Sequence, residues 1–70
     1  MKNEIKEYTK DDIKVGFKFH YWDKDLWHVV SLFKDNGDDM VVIKSWAKYK
    51  NRWVYKVDYV CFILDWLNRK

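Results

Sequence analysis

The sequence predicts a mainly β fold: a small antiparallel meander of four to five strands that curls on itself, with a short C-terminal helix over residues 58–68. Residues 15–22 alternate apolar and polar side chains with a period of two, which indicates a half-buried strand. Asn36-Gly37 favours a two-residue hairpin, because both turn positions take positive φ. One domain is expected over residues 13–70. The polar segment 1–12 is expected to fray or to form a short helical turn.

The predicted strands follow one another along the chain with short turns between them. The strands are 15–22, 26–34, 40–48 and 52–57, and the turns are 23–25, 35–39 and a turn near Lys50-Asn51. The turns predict cross-strand pairs: Phe33 with Met40, Ser31 with Val42, Val29 with Lys44, Trp27 with Trp46, Trp27 with Tyr21, and Val29 with Phe19. These pairs place one set of residues on a single core face: Phe17, Phe19, Tyr21, Trp27, Val29, Phe33, Met40, Val42 and Trp46.

The opposite face of the middle strands is apolar too. It carries Leu26, Val30, Leu32, Val41, Ile43 and Ala47. A sheet that is apolar on both faces needs cover on both, and a helix over residues 58–68, with Asp58 as N-cap and Asn68 at its end, is the favoured cover. A strand over residues 59–64 is the alternative reading of that segment. A homodimer is the alternative cover.

This order of strands resembles a small SH3-like barrel. The resemblance rests on the opening strand DIKVGFKF, residues 12–19, and on the WxVV pattern of residues 27–30. It is a likeness of architecture and spans about residues 12–64. SH3-like barrels bind peptides, modified histones and nucleic acids, so the resemblance implies binding without selecting a ligand.

The size and composition of the chain bear on the stability of its core and on its cellular location. A chain of 70 residues has a marginal core, and its 14 aromatic residues, at roughly 150–250 Å² each, are able to compensate. A single cysteine is typical of a reducing compartment, which predicts a cytoplasmic protein. The longest apolar run, YVCFIL at 59–64, is far too short to span a membrane.

The sequence gives little support for catalysis or metal binding. His20 and His28 are expected to lie across from each other, but two histidines are fewer than the three or four ligands of a stable site. Cys61 lies in an apolar run, where burial makes a thiol inert. The carboxylates around Asn36-Gly37 are explained by turn formation. The sequence therefore predicts no enzyme, no catalytic residues, no cofactor and no metal site.

The remaining candidate is the hairpin at residues 44–56, KSWAKYKNRWVYK. It contains five cations, four aromatics and no acid. Trp46, Ala47, Val54 and either Tyr55 or Trp53 are assigned to the core. The predicted contact site comprises Lys44, Lys48, Tyr49, Lys50, Arg52, Trp53 and Lys56.

Two functions compete for this site. The favoured one is a non-catalytic protein-binding module of the adaptor or inhibitor type, because surplus aromatics with Arg are typical of interface hot spots. Its partner is a protein with an acidic surface, or a second copy of the chain. The alternative is nucleic-acid binding, with cations on phosphates and bases stacked on aromatic rings. An aromatic cage for methylated lysine is a third, weaker hypothesis.

Overall fold

The computed structural model describes residues 7–69, which form an open four-stranded antiparallel sheet with one helix. The elements are a 3₁₀ turn (Lys10–Asp12), β1 (Lys18–His20), β2 (Leu26–Asp35), β3 (Asp38–Ala47), β4 (Arg52–Tyr59) and α1 (Val60–Leu67). The strand order β1-β2-β3-β4 confirms the meander and the mainly β class. The sheet is not closed, since β1 and β4 are its two edges, so the SH3-like barrel is not confirmed.

The central hairpin follows the turn chemistry of the sequence. Asn36 and Gly37 both have positive φ, at 53° and 84°, and Asp35 pairs with Asp38 across them. The predicted pair of Phe33 with Met40 is present. Asn51 also has positive φ, at 55°, which completes the turn between β3 and β4.

A β-bulge in β2 explains why the predicted core face is right on β1 and the start of β2 but wrong on β3. The register shifts between Val29 and Ser31, so that Val29 pairs with Ile43 and not with Lys44. One extra residue in a strand reverses the side that the following residues face relative to the neighbouring strand. The residues of β3 that are buried are therefore Val41, Ile43 and Ser45.

Several residues predicted for the core consequently lie outside it. Met40 and Val42 are half-buried, and Phe33 and Trp46 are exposed. Neither Tyr55 nor Trp53 lies in the core either. The prediction that the helix covers the second apolar face was partly right, because Val41 and Ile43 do lie under the helix together with Val29 and Trp27.

The pairing of β1 with β2 differs from prediction by two residues. Phe19 pairs with Trp27, and His20 pairs with Leu26, so His20 does not face His28. The loop between the strands is longer than expected and places Lys24 at a φ of 68°. A two-residue shift keeps the same side chains inward, and Phe19 is still buried beside Trp27.

The C-terminal segment forms the favoured helix and not the alternative strand. It begins after Tyr59, one residue later than an Asp58 cap would give, and Asn68 is its C-cap as predicted. Val60 and Ile63 complete the core under the sheet. Cys61 is exposed, which contradicts its predicted burial, because it lies on the side of the helix turned away from Ile63.

The N-terminal segment is tied to the rest of the domain. The Asn68 side chain accepts a hydrogen bond from the Tyr8 backbone N–H at 2.7 Å and donates one to the Tyr8 carbonyl at 3.0 Å. Lys10 contacts Asp39 at 3.1 Å. The expected fraying of residues 1–6 lies outside the described residues. Neither helical segment within residues 7–69 has the length and apolar character needed to cross a membrane.

Candidate functional site

One face of the sheet is left without cover by the helix. We call this surface the open face. On β3 and β4 it is built from four cross-strand pairs: Met40 with Tyr59, Val42 with Val57, Lys44 with Tyr55, and Trp46 with Trp53. Phe33, Ser31 and His28 continue it onto β2, since they pair with Met40, Val42 and Lys44.

The open face exposes large apolar side chains of the kind that are normally buried in a core. Tyr55 is 61% exposed, Val57 54% and Trp46 45%. Phe62, at the start of the helix, extends the same surface, because its ring lies 5.0 Å from that of Tyr59. Contiguous exposed apolar surface of this kind is typical of an interaction site.

The aromatic end of the open face is ordered around one tryptophan. The Lys44 ammonium lies 4.3 Å from the centre of the Trp53 ring. Trp46 and His28 both contact Trp53 edge to face, with centroids 5.3 Å and 5.4 Å away. Packing of this kind holds each ring in place, which lowers the entropy lost when a partner binds.

The structure divides the predicted contact site into three parts. Lys44 and Trp53 lie on the open face. Lys48, Tyr49, Lys50 and Arg52 lie at the β3–β4 turn, where Tyr49 is 87% exposed. Lys56 lies on the face that the helix covers, in register with the buried Ile43.

Lys56 is therefore separated from the other predicted contact residues. Its ammonium lies 5.5 Å, 5.2 Å and 5.8 Å from the ring centres of Tyr21, Trp22 and Trp27. Three rings around one ammonium form a cation–π cage that this chain fills with its own lysine. The contacts that Lys56 makes with these rings are intramolecular, which explains why a charged side chain tolerates a half-buried position.

Two carboxylates hold two of the three rings of this cage in place. The Tyr21 hydroxyl donates a 2.7 Å hydrogen bond to Asp58, and the Trp27 indole N–H donates to Asp23 at 3.1 Å. Burial, followed by the bond to Asp58, raises the pKa of the Tyr21 phenol well above its ordinary value. Tyr21 therefore stays a neutral donor to Asp58 throughout the neutral and moderately alkaline range.

A cavity of about 500 Å³ opens beside the β3–β4 turn. Asp25, Trp46 and Tyr49 are among the residues that line it. Its lining carries a single carboxylate and no histidine or cysteine, and within residues 7–69 no cluster of three or more metal-ligating side chains is present.

The sequence interpretation missed most of the open face. Val57, Tyr59 and Phe33 were not singled out as contact residues, although β4 carries its apolar side chains at alternate positions from Trp53 to Tyr59. That alternation is the signal that was available. It was ambiguous, because an apolar stripe in a strand ordinarily predicts the buried side and here marks the exposed one.

No protein-family model, no curated protein and no solved structure matches the chain.

Proposed function

We propose that this chain is a small non-catalytic binding module, of the adaptor or inhibitor type, that binds a protein through the open face. The observation that carries the proposal is the set of large apolar side chains that the open face exposes, Tyr55 and Val57 foremost. The proposal does not depend on closure into an SH3-like barrel, since the surface is the outer side of an open sheet.

The size and composition of the open face support a protein partner. From Met40 to Trp46, six residue steps along β3 and three strands across give a face of about 20 Å by 14 Å, or roughly 300 Å². This falls in the range of about 300–600 Å² at which a monomer's largest apolar patch is often functional. Trp46 and Trp53 at one end of the face, with Tyr55 and Lys44 beside them, fit the composition of interface hot spots.

The experiment compares three versions of the protein as bait. Val57→Lys places a charge in the middle of the open face, where Val57 is 54% exposed. Val15→Lys is the matched control, because Val15 is 67% exposed and lies outside the strands, before β1. Each bait is offered the cell extract of the natural source and a separately tagged copy of the chain, and retained proteins are identified by mass spectrometry.

We expect one defined protein to be retained by the wild type and by Val15→Lys, and to be lost with Val57→Lys. A charge buried against an apolar partner without a counter-ion weakens binding by at least about tenfold. If Val57→Lys retains every protein that the wild type retains, including the tagged copy, the open face is not a protein-binding surface.

Nucleic-acid binding is the second candidate, favoured by one specific observation. Lys44 lies over Trp53 on the open face, and three cations follow at the adjacent turn, at positions 48, 50 and 52. Single-stranded and duplex oligonucleotides titrated at low and moderate salt test it, because phosphate contacts give an affinity that falls steeply with salt. Binding at low salt that is lost in Lys50→Glu/Arg52→Glu supports this candidate, and no binding at low salt excludes it.

A further inference from the structure

The open face carries opposite charges at its two ends. Asp35 and Asp38 flank the Asn-Gly turn at one end, and Lys48 and Lys50 lie in the β3–β4 turn at the other. The salt bridges within residues 7–69 use other residues: Lys10 and Lys34 with Asp39, and Arg69 with Asp65. The charges at both ends of the open face are therefore available to a partner.

We propose that the partner of the open face is a second copy of this chain, packed face to face with its strands antiparallel to those of the first. This inference rests on the proposed function and names the partner. A two-fold dimer places the same patch of both copies in contact. A two-fold axis that lies in the interface and runs across the strands brings the acidic end of each copy onto the basic end of the other.

The alternative axis, which runs along the strands, brings like charges together. Asp38 then faces acidic groups and Lys48 faces basic groups, an arrangement that costs several kcal/mol in known interfaces. Charge therefore selects the antiparallel dimer. In that arrangement Met40 and Tyr59 of one copy lie near Trp46 and Trp53 of the other, so apolar surface meets aromatic surface.

The area fits a dimer of modest affinity. Two faces of roughly 300 Å² remove about 600 Å² of flat area, and more of accessible surface, because side chains corrugate a sheet. This places the dimer below the standard size of specific interfaces, which begins at about 1,200 Å², and among weak or transient ones. We expect a dissociation constant on the order of micromolar, so that the dimer forms and dissociates within an accessible concentration range.

The first measurement is the mass in solution by analytical ultracentrifugation, from about 1 µM to about 500 µM. We expect the wild type and Val15→Lys to pass from monomer to dimer over this range. Val57→Lys is expected to raise the dissociation constant by at least about tenfold. A wild type that is monomeric throughout, or a dimer that persists unchanged in Val57→Lys, overturns the inference.

The second measurement tests the antiparallel arrangement by charge exchange. Asp35→Lys/Asp38→Lys makes both ends of the face basic, and Lys48→Glu/Lys50→Glu makes both ends acidic. We expect the dissociation constant of each variant alone to rise at least about tenfold, because every end-to-end contact then joins like charges. An equimolar mixture is expected to dimerise like the wild type, since each contact in the mixed dimer joins opposite charges.

Recovery in the mixture also shows that both variants are folded. A mixture that is no more dimeric than its separate components overturns the antiparallel dimer. A wild type that stays monomeric while its bait still retains another protein through Val57 removes only this inference and leaves the proposed function in place. Loss of both the dimer and the retained protein removes both.

Discussion

Strand β4 exposes apolar side chains on the open face and places Lys56 on the face that the helix covers. This is the reverse of the usual placement of apolar and polar residues. The partner of Lys56 in β3 is Ile43, which is fully buried, and the Lys56 ammonium sits among Tyr21, Trp22 and Trp27. A cation stacked on several rings gains electrostatic energy and keeps its stem in apolar contact. We therefore assign Lys56 to the stability of the domain and not to the open face.

Replacing Lys56 by Gln tests this assignment. The substitution keeps a polar end on a shorter chain and removes the charge, so we expect a loss of about 1 kcal/mol in the free energy of unfolding. Lys50→Gln is the matched control, because the Lys50 ammonium lies 5.8 Å from the exposed Tyr49 ring, and the substitution should change stability by less than about 0.5 kcal/mol. Equal losses in urea unfolding of the two variants contradict the assignment.

The β-bulge in the β2–β3 hairpin decides which side of the sheet is buried. The register of the hairpin is regular from Asp35 back to Ser31, and it is regular again from Val29 to His28, but the two stretches differ by one residue. Val30 stands between them without a partner in β3. The bulge therefore lets Val29 and Ile43 pair as inward-facing neighbours while Ser31 and Val42 face outward.

Deleting Val30 is expected to leave the fold intact. Without Val30 the chain continues directly from Val29 to Ser31, and both sets of observed pairs become one regular register. We expect a stability change of at most about 2 kcal/mol, from lost contacts and altered twist. Deleting Val42 is the matched control: it places Val41 and Ile43 on opposite sides of the sheet and should abolish folding.

Circular dichroism and amide proton dispersion distinguish the two deletions. If the Val30 deletion unfolds as completely as the Val42 deletion, the bulge is required for folding and is not a local insertion.

At the scale of the whole molecule, one sheet and one short helix share a small core. Its fully buried large side chains are Ile43, Ile63 and Val41. Domains of this size bury only about 60% of their unfolded surface, so stability rests on few contacts. The helix end is secured by Asn68, whose side chain forms two hydrogen bonds with the backbone of Tyr8.

Ile63→Ala is therefore expected to unfold much of the population. Truncation of a fully buried isoleucine costs about 2–5 kcal/mol, against a total of roughly 5 kcal/mol for a small domain. Phe62→Ala is the neighbouring control, because Phe62 is 57% exposed and should cost about 1 kcal/mol or less. Thermal unfolding at a concentration below dimer formation measures both. Equal midpoints contradict a core centred on Ile63.

Much of the backbone was predictable because it depends on local chemistry. The Asn36-Gly37 hairpin, the order of the strands and the helix end at Asn68 each follow from residues close in sequence. Of the open face, the sequence predicted Lys44 and Trp53, together with the basic turn beside it. Phe33, Tyr59 and Val57 were not recognised, because their role depends on which side of the sheet the helix covers.

The sequence by itself determined that the chain forms an antiparallel meander, since turn residues and a period of two act over a few positions. Only the tertiary structure decided which apolar face is buried. The chain has two apolar faces and one helix, and the bulge at Val30 places Val41 and Ile43 beneath that helix. The remaining face, with Trp46, Trp53 and Val57, stays open because no described element is left to cover it.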